Sequence, residues 1–217
     1  MTKHRVLAID DQQIVLDSVR KVLQPNGFVV DVSLDGRQGV AMALSNDYDI
    51  IITDVRMPDY GGIRILRDVT YAKPALPVII MTGYATVKSA VQAMKLGAAD
   101  YIQKPFTPEE LAATFSAVLH RPSTENASDQ AAIHHDEVIK VLERAAADEE
   151  FKTWLLYHGP DALDEYTLSK AEKISIITGD VTWLEQHVGS LTPRQRSWLT
   201  QQAHSAIRKW YSGSETP

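Results

Sequence analysis

The first 120 residues alternate short apolar runs with segments of helical periodicity. The runs are rich in β-branched residues and apolar on both faces, which is typical of buried parallel strands. Turn signals at Pro25-Asn26-Gly27 and at Gly97 end two of the helical segments. The pattern predicts five β-α units, and hence an α/β fold with a parallel sheet covered by helices. The predicted strands are residues 5–9, 28–32, 50–53, 78–81 and 100–103.

A different pattern begins beyond residue 120. Residues 121–135 are polar and aperiodic, which predicts a flexible linker. Residues 136–217 show no strand alternation and carry apolar residues at helical spacing instead. Helix-capping residues mark the limits of the predicted helices in this part of the chain. Ser169-x-x-Glu172 is a capping box, and Gly179-Asp180 ends one helix and caps the next. We therefore predict domains at 1–120 and 136–217, the second an all-helical domain of four or five short helices.

Large aromatic residues are spread along the predicted helical domain. We expect them in its core, because a domain of this size needs large side chains to reach stability. Any that were exposed would indicate a protein-binding surface. The residues concerned are Trp154, Tyr166, Trp183, Trp198 and Trp210.

Composition excludes several classes of protein. The chain of 217 residues has no cysteine, so disulfides, thiolate metal sites and cysteine nucleophiles are excluded. Its net charge of −6 gives no general attraction to nucleic acid. No apolar run is long enough for a signal peptide or a membrane span, and we predict a cytoplasmic protein.

Polar residues stand where four of the predicted strands end, the edge at which parallel sheets bind ligands. Asp10 and Asp11 follow the first strand, Asp54 the third, Thr82 the fourth and Lys104 the fifth. Three carboxylates brought together repel one another, and a hard divalent cation such as Mg²⁺ would relieve that repulsion. Asp54 could then attack a phosphoryl group and hold it as an acyl phosphate. Lys104 and Thr82 would supply a positive charge and a hydroxyl donor to its oxygens.

Each of these residues also has a plainer interpretation. An Asp before a helix is a common N-cap, a carboxylate before Met57-Pro58 suits a turn, and a lysine is usually a solvated charge. The complete set at successive strand ends favours a site over these alternatives.

Residues 3 to about 120 resemble the bacterial response-regulator receiver (CheY-like) family. The motifs that carry the resemblance are Asp10-Asp11, Asp54-Val55-Arg56-Met57-Pro58 with Gly61-Gly62, Met81-Thr82-Gly83, Tyr101 and Lys104-Pro105-Phe106. The resemblance implies a flavodoxin-like doubly wound (βα)5 sheet of order 2-1-3-4-5. It also implies a two-component phosphorelay in which a sensor histidine kinase is the phosphoryl donor.

The same resemblance assigns roles to single residues. Asp54 would be the phosphoacceptor, and its self-phosphorylation and autodephosphorylation would be the only catalysis. Asp11 and Asp54 would bind Mg²⁺ directly, Asp10 through water, and Arg56 through its backbone carbonyl. Lys104 would precede a cis peptide bond to Pro105. Thr82 and the aromatic Tyr101 would form the switch that responds to phosphorylation.

The helical domain resembles, over about residues 137–190, the LigA-like helical domain named after the small subunit of a ring-opening dioxygenase. The matching positions are residues 142–148, Phe151, Leu155, 162–163, 166–168 and 179–184. The resemblance implies a fold and not an oxygenase, since no His-His-carboxylate site is evident. The cluster His134-His135-Asp136-Glu137 offers metal ligands, but it borders the linker, which favours an ordinary surface role.

The leading hypothesis for output is protein contact with a partner whose identity the sequence leaves open, together with the option of a phosphorylation-dependent homodimer. One alternative is a transcription regulator that binds DNA through a basic last helix, with Arg194, Arg196, Arg208 and Lys209. From residue 136 onward 13 Asp and Glu outnumber 9 Lys and Arg, which disfavours DNA. Residues 191–195 resemble the start of a LuxR-type helix-turn-helix DNA-binding domain. The sequence predicts only one helix after them, whereas such a domain needs a recognition helix as well. A second alternative is a receiver-regulated enzyme.

Overall fold

The computed structural model describes residues 3–58, 60–83, 87–121 and 133–212, without the side chains of 87, 88 and 204–212. The chain divides into two compact units, residues 1–127 and 128–217. Most of the predicted linker, residues 122–132, lies outside the described residues, so the linker and the domain limits stay predictions.

The first unit is a five-stranded parallel sheet in the order β2-β1-β3-β4-β5, which confirms the predicted fold class. Helices alternate with the strands because parallel neighbours need a crossover connection. The strands are β1 (Arg5–Ile9), β2 (Val29–Ser33), β3 (Ile50–Asp54), β4 (Val78–Thr82) and β5 (Asp100–Gln103). The helices are α1 (Gln13–Leu23), α2 (Gly36–Ser45), α3 (Gly62–Ala72), α4 (Val87–Lys95) and α5 (Pro108–Leu119).

The strands β3 and β4 each extend one residue beyond the apolar runs that predicted them. The extra residues are Asp54, which pairs with Met81, and Thr82, which pairs with Gln103. Their polar side chains interrupt the apolar pattern while the backbone continues to pair. Two candidate functional residues are therefore held by the sheet itself rather than by loops.

Both faces of the sheet are covered. On one face, α1 and α5 pack on alternate strand residues, with Leu16 and Phe115 fully buried. On the other face, α2 approaches β1 closely at Gly39, where a Cβ atom would lie 2.5 Å from Ile9 Cδ1. Burial on both faces explains why the strands read as continuous apolar runs.

The described part of the second unit is all-helical, as predicted. Its elements are α6 (His135–Ala147), α7 (Glu149–His158), a 3-10 turn (Gly159–Leu163), α8 (Lys170–Thr178), α9 (Val181–Val188) and α10 (Pro193–Ser212). The capping box at the start of α8 is present, because the Ser169 and Glu172 side chains each accept from the other's backbone N–H. Gly179 ends α8 at φ 63°, and a Cβ atom there would lie 2.1 Å from the Leu199 carbonyl oxygen.

The aromatic residues of this unit divide into two groups. Trp183 and Trp198 are buried, at 5% and 6% exposure, as predicted. Trp154 is 52% exposed, so its predicted place in the core is wrong. Phe151 and Leu155 of α7 are buried, whereas Trp154 lies to one side of them on the helix and is left uncovered. Tyr166 is half-buried, and the side chain of Trp210 lies outside the described residues.

Candidate functional site

Three carboxylates meet at the carboxyl edge of the first unit's sheet. Asp10, Asp11 and Asp54 each present an oxygen within 4.8 Å of the others. Asp10 is fully buried and Asp54 is 4% exposed, whereas Asp11 is exposed. The proximity follows from topology, because β1 and β3 are adjacent parallel strands that end at the same edge.

The backbone fixes the position of Asp10. Its N–H donates to the Ser33 carbonyl at the end of β2, and its Oδ1 accepts the Gln12 N–H at 2.9 Å. The residue that caps α1 is Gln12, whose side chain makes no cap bond. Neither Asp10 nor Asp11 is therefore the N-cap residue of α1, as the alternative interpretation of these acids would require.

Lys104 lies between two of the carboxylates. Its Nζ is 2.5 Å from Asp10 Oδ2 and 3.3 Å from Asp54 Oδ2. Its N–H donates to the Thr82 carbonyl, and its bond to Pro105 is cis, as the resemblance implied. Lys104 brings a single positive charge to three carboxylates, so these residues together carry a net negative charge.

Burial and charge act on Asp54 in opposite directions. Burial raises the pKa of Asp54, the positive charge of Lys104 lowers it, and the negative charge of Asp10 raises it again, with a net upward shift. Its Oδ1 is buried and has no hydrogen-bond partner among the described residues. An oxygen acceptor of this kind fits a hard cation or a reacting phosphoryl group better than a purely structural role.

Glycine lets α3 begin directly against the backbone of Asp54. A Cβ atom at Gly62 would lie 2.3 Å from the Asp54 carbonyl oxygen, and the Gly62 N–H donates to the Val55 carbonyl. Arg56, the predicted backbone ligand, is in the same β3–α3 connection and is partly buried. Its role as a ligand stays a prediction.

The two predicted switch residues lie on β4 and β5. Thr82 is 3% exposed at the end of β4, one residue beyond the partner of Asp54. Tyr101 is half-buried, and its hydroxyl lies 3.1 Å from Ser89 Oγ on α4. Burial raises the pKa of Tyr101, the bond to Ser89 lowers it, and the charge of Asp54 raises it.

Sequence reasoning did not identify Ser89. Its signal is slight, a single hydroxyl near the start of α4, and a hydroxyl in a helix is usually solvated or bonded within its own helix. Only the packing of α4 against β5 reveals its partner.

Among the described residues, the aspartate cluster is the one group of three or more carboxylates or histidines that is close enough to share a metal ion. The His134 cluster is used differently, since His134 Nδ1 lies 2.9 Å from the buried Glu172. In α10, Arg196 forms an ion pair with Glu185, and the side chains of Arg208 and Lys209 lie outside the described residues.

Comparison with known proteins agrees with this geometry. The model of the response regulator receiver domain family matches residues 6–116, just over half of the chain. Response regulator MprA of Mycobacterium bovis is 33% identical over 134 residues, which cover 62% of this chain and 58% of the relative. Its counterpart in Mycolicibacterium vanbaalenii is 33% identical over 128 residues, 59% of this chain and 55% of the relative.

Solved structures match the first unit in the same way. The receiver domain of a Clostridium thermocellum response regulator has a TM-score of 0.52 and 32% identity over 54% of this chain and 95% of that one. The BeF3-activated DrrB receiver domain has a TM-score of 0.51 and 30% identity over 55% of this chain and 100% of that one.

The chain belongs to the response regulator receiver family. Members of this family are generally signalling proteins rather than enzymes. The match spans less than two thirds of the length of the curated relatives. The resemblance of the helical unit to the LigA-like domain stays a prediction. Within the described ranges, no helix is both long and apolar enough to cross a membrane.

Proposed function

We propose that this chain is a response regulator in which Asp54 accepts a phosphoryl group from the phosphohistidine of a sensor histidine kinase. The observation that carries the proposal is the carboxylate cluster in which Lys104 Nζ contacts both Asp10 and Asp54. An Asp54 oxygen attacks phosphorus, an O–P bond forms, the N–P bond of the donor breaks, and the imidazole leaves. Water then hydrolyses the acyl phosphate and restores the carboxylate.

The residues of the site divide the work of this reaction. Asp54 is nearly buried on β3, which orients the nucleophile and excludes most water. Lys104 already contacts Asp54 Oδ2 and supplies positive charge where phosphoryl oxygens would arrive. The reaction requires no further nucleophile or base from the chain, because positioning and charge are most of phosphoryl transfer.

The donor set fits Mg²⁺. Asp11 and Asp54 would hold the ion directly, Asp10 through water, and Arg56 through its carbonyl oxygen. When bound, the ion neutralises carboxylate and phosphoryl charge. The unpartnered Oδ1 of Asp54 and the excess of carboxylates support this assignment.

Phosphorylation would shift the equilibrium between two arrangements of Thr82 and Tyr101. A new phosphoryl oxygen would attract the Thr82 hydroxyl, and Tyr101 would exchange its contact with Ser89 for a more buried position. The surface formed by α4, β5 and α5 would change its affinity for a partner or for a second copy.

The helical unit would deliver the signal through protein contacts. Two large aromatic side chains on α7 are exposed, Trp154 at 52% and Tyr157 at 56%. Exposed aromatic residues are enriched where proteins bind one another.

The test is phosphorylation of the full chain by acetyl phosphate with Mg²⁺, followed by intact-mass measurement. Native protein should gain one phosphoryl group that hydroxylamine removes, as an acyl phosphate requires. The Asp54→Asn variant should gain none. Asp35→Asn is the matched control, because Asp35 caps α2 outside the cluster and should leave the reaction unchanged. Equal labelling of native protein and Asp54→Asn would contradict the proposal.

A further inference from the structure

The helical unit contains an open pocket of about 420 Å³ beside exposed Trp154. It lies where the end of α6, the start of α7, and the 3-10 turn with the residues that follow it come together. Its volume falls within the range of about 300–1,000 Å³ that is usual for ligand pockets. Its lining residues are Arg144, Asp148, Glu150, Phe151, Trp154, Asp161, Ala162 and Glu165.

The aromatic part of the lining is available to a ligand. The other tryptophans whose side chains are described, Trp183 and Trp198, are nearly buried, whereas Trp154 is 52% exposed. The Trp154 ring stacks on His158 with centroids 3.5 Å apart, which leaves the residue fixed rather than loose on the surface. A rigid, exposed indole is the strongest side-chain partner for an organic cation.

The charged part of the lining is strongly negative, with four carboxylates and one arginine. Glu150 and Asp161 are exposed at its rim. Accepting the Phe151 backbone N–H lowers the pKa of Asp148, which keeps that carboxylate ionised. The pocket therefore repels anions and attracts cations.

The wall of the pocket already holds one guanidinium group. The Arg144 guanidinium lies 4.3 Å from the Phe151 ring centroid, with Nη1 2.5 Å from Glu165 Oε1. Its Nε is 3.7 Å from Asp148 Oδ2. Trp154, Glu150 and Asp161 line the same pocket and provide a second aromatic side chain and two further carboxylates.

We propose that this pocket binds an arginine side chain from an extended segment of the output partner. The inference rests on the proposed output by protein contacts. Arginine fits better than lysine because its planar guanidinium stacks on an indole and bonds carboxylates through two N–H groups at once. A segment fits better than free arginine because Tyr157, exposed on the same helix, extends the surface beyond the pocket.

The experiment uses the full chain and a dye-labelled peptide in which Arg alternates with Gly, with fluorescence anisotropy as the readout. Peptides with Lys or Gln in place of Arg, and free arginine amide, form the other arms. The Arg peptide should bind most tightly, the Lys peptide several-fold more weakly and the Gln peptide not measurably. Raising the salt concentration should weaken binding, because the carboxylates at the rim are exposed.

Variants distinguish binding in the pocket from a general attraction of the peptide to the acidic surface. Trp154→Ala should weaken binding at least about fivefold, the order expected for a lost cation–π contact. Glu150→Gln with Asp161→Asn should weaken it further. The charge-matched control is Glu143→Gln with Glu149→Gln, which removes two exposed acids that do not line the pocket. This control should change binding less than twofold.

Three results would overturn the proposal: no binding of the Arg peptide, equal losses in the charge-matched control, or binding of free arginine amide as tight as that of the peptide. Asp54 labelling by acetyl phosphate is measured on the same samples. Labelled protein that does not bind the peptide refutes the pocket alone, and peptide binding without labelling refutes the phosphoacceptor proposal alone.

Discussion

Two buried carboxylates, one in each unit, have opposite surroundings. Glu172 of the helical unit is fully buried, with the backbone nitrogens of His134 and Ser169 at 2.5 and 2.6 Å and His134 Nδ1 at 2.9 Å. Asp54 of the receiver unit is nearly as buried, yet its Oδ1 has no partner among the described residues. Its Oδ2 lies 3.3 Å from Lys104 Nζ, and its neighbours include two further carboxylates.

The difference separates a structural acid from a functional one. A buried carboxylate surrounded by N–H donors stabilises the fold, because its desolvation is offset by charge-assisted hydrogen bonds. A buried carboxylate beside like charges costs stability, and it persists where binding or reaction depends on it. Burial alone does not distinguish the two, whereas the surrounding donors do.

The largest expected effect is a loss of stability when Glu172, which accepts several hydrogen bonds, is removed. Glu172→Ala should lower the free energy of unfolding of the helical unit by about 3 kcal/mol, because buried N–H donors lose their acceptor. Glu172→Gln should cost about 1 kcal/mol, since one acceptor oxygen remains. Urea unfolding followed by tryptophan fluorescence measures this, as all four tryptophans lie beyond residue 150. Unchanged stability in Glu172→Ala would remove the contrast between the two acids.

The next effect concerns the cation beside Asp54. Lys104→Met should slow the labelling of Asp54 by acetyl phosphate about 100-fold, the usual cost of losing a preorganised charge at a reacting oxyanion. The same variant should bind Mg²⁺ several-fold more tightly, because a competing positive charge has gone. Rapid-quench labelling and calorimetric Mg²⁺ titration give the two values. Lys21→Met, on the exposed face of α1, is the control, and equal effects in both variants would contradict the assignment.

The smallest effect is a gain in stability. Because the folded pKa of Asp54 is raised, the unfolded chain loses this proton at a lower pH than the folded protein. Stability therefore falls as pH rises from the unfolded pKa through the folded one, and the penalty is complete above both. At pH 7 without divalent cations, Asp54→Asn should stabilise the receiver unit by on the order of 1 kcal/mol.

Hydrogen exchange of the β3 amides measures that gain. The gain should vanish as pH falls below the ordinary carboxylate range, where both states bind the proton. Adding Mg²⁺ should stabilise the native protein and leave Asp54→Asn nearly unchanged, which reverses their order. If Asp54→Asn were less stable than native protein at pH 7 without Mg²⁺, Asp54 would be a stabilising carboxylate like Glu172.

The sequence determined much of the fold by itself. The apolar runs located all five strands within a residue or two of their ends, because a parallel strand buried on both faces has a continuous apolar pattern. The capping box at Ser169 and the stop at Gly179 were readable for a similar reason, since they depend on residues close in sequence. The polar residues at successive strand ends indicated the site, because topology alone brings such ends together.

Only the tertiary structure decided how these residues are paired. The need of a small domain for large core side chains predicted Trp154 in the core, but which residues of a helix are covered depends on what packs against it, and Trp154 is left exposed. The contact between Ser89 and Tyr101 joins residues 12 positions apart on two elements, and no local pattern encodes it. Likewise, the sequence shows Asp54 and Glu172 only as an acid at a strand end and an acid in a capping box. The donors and like charges around each carboxylate are set by the folded chain, and the unpartnered Oδ1 and neighbouring carboxylates of Asp54 distinguish the candidate reactive residue from the structural one.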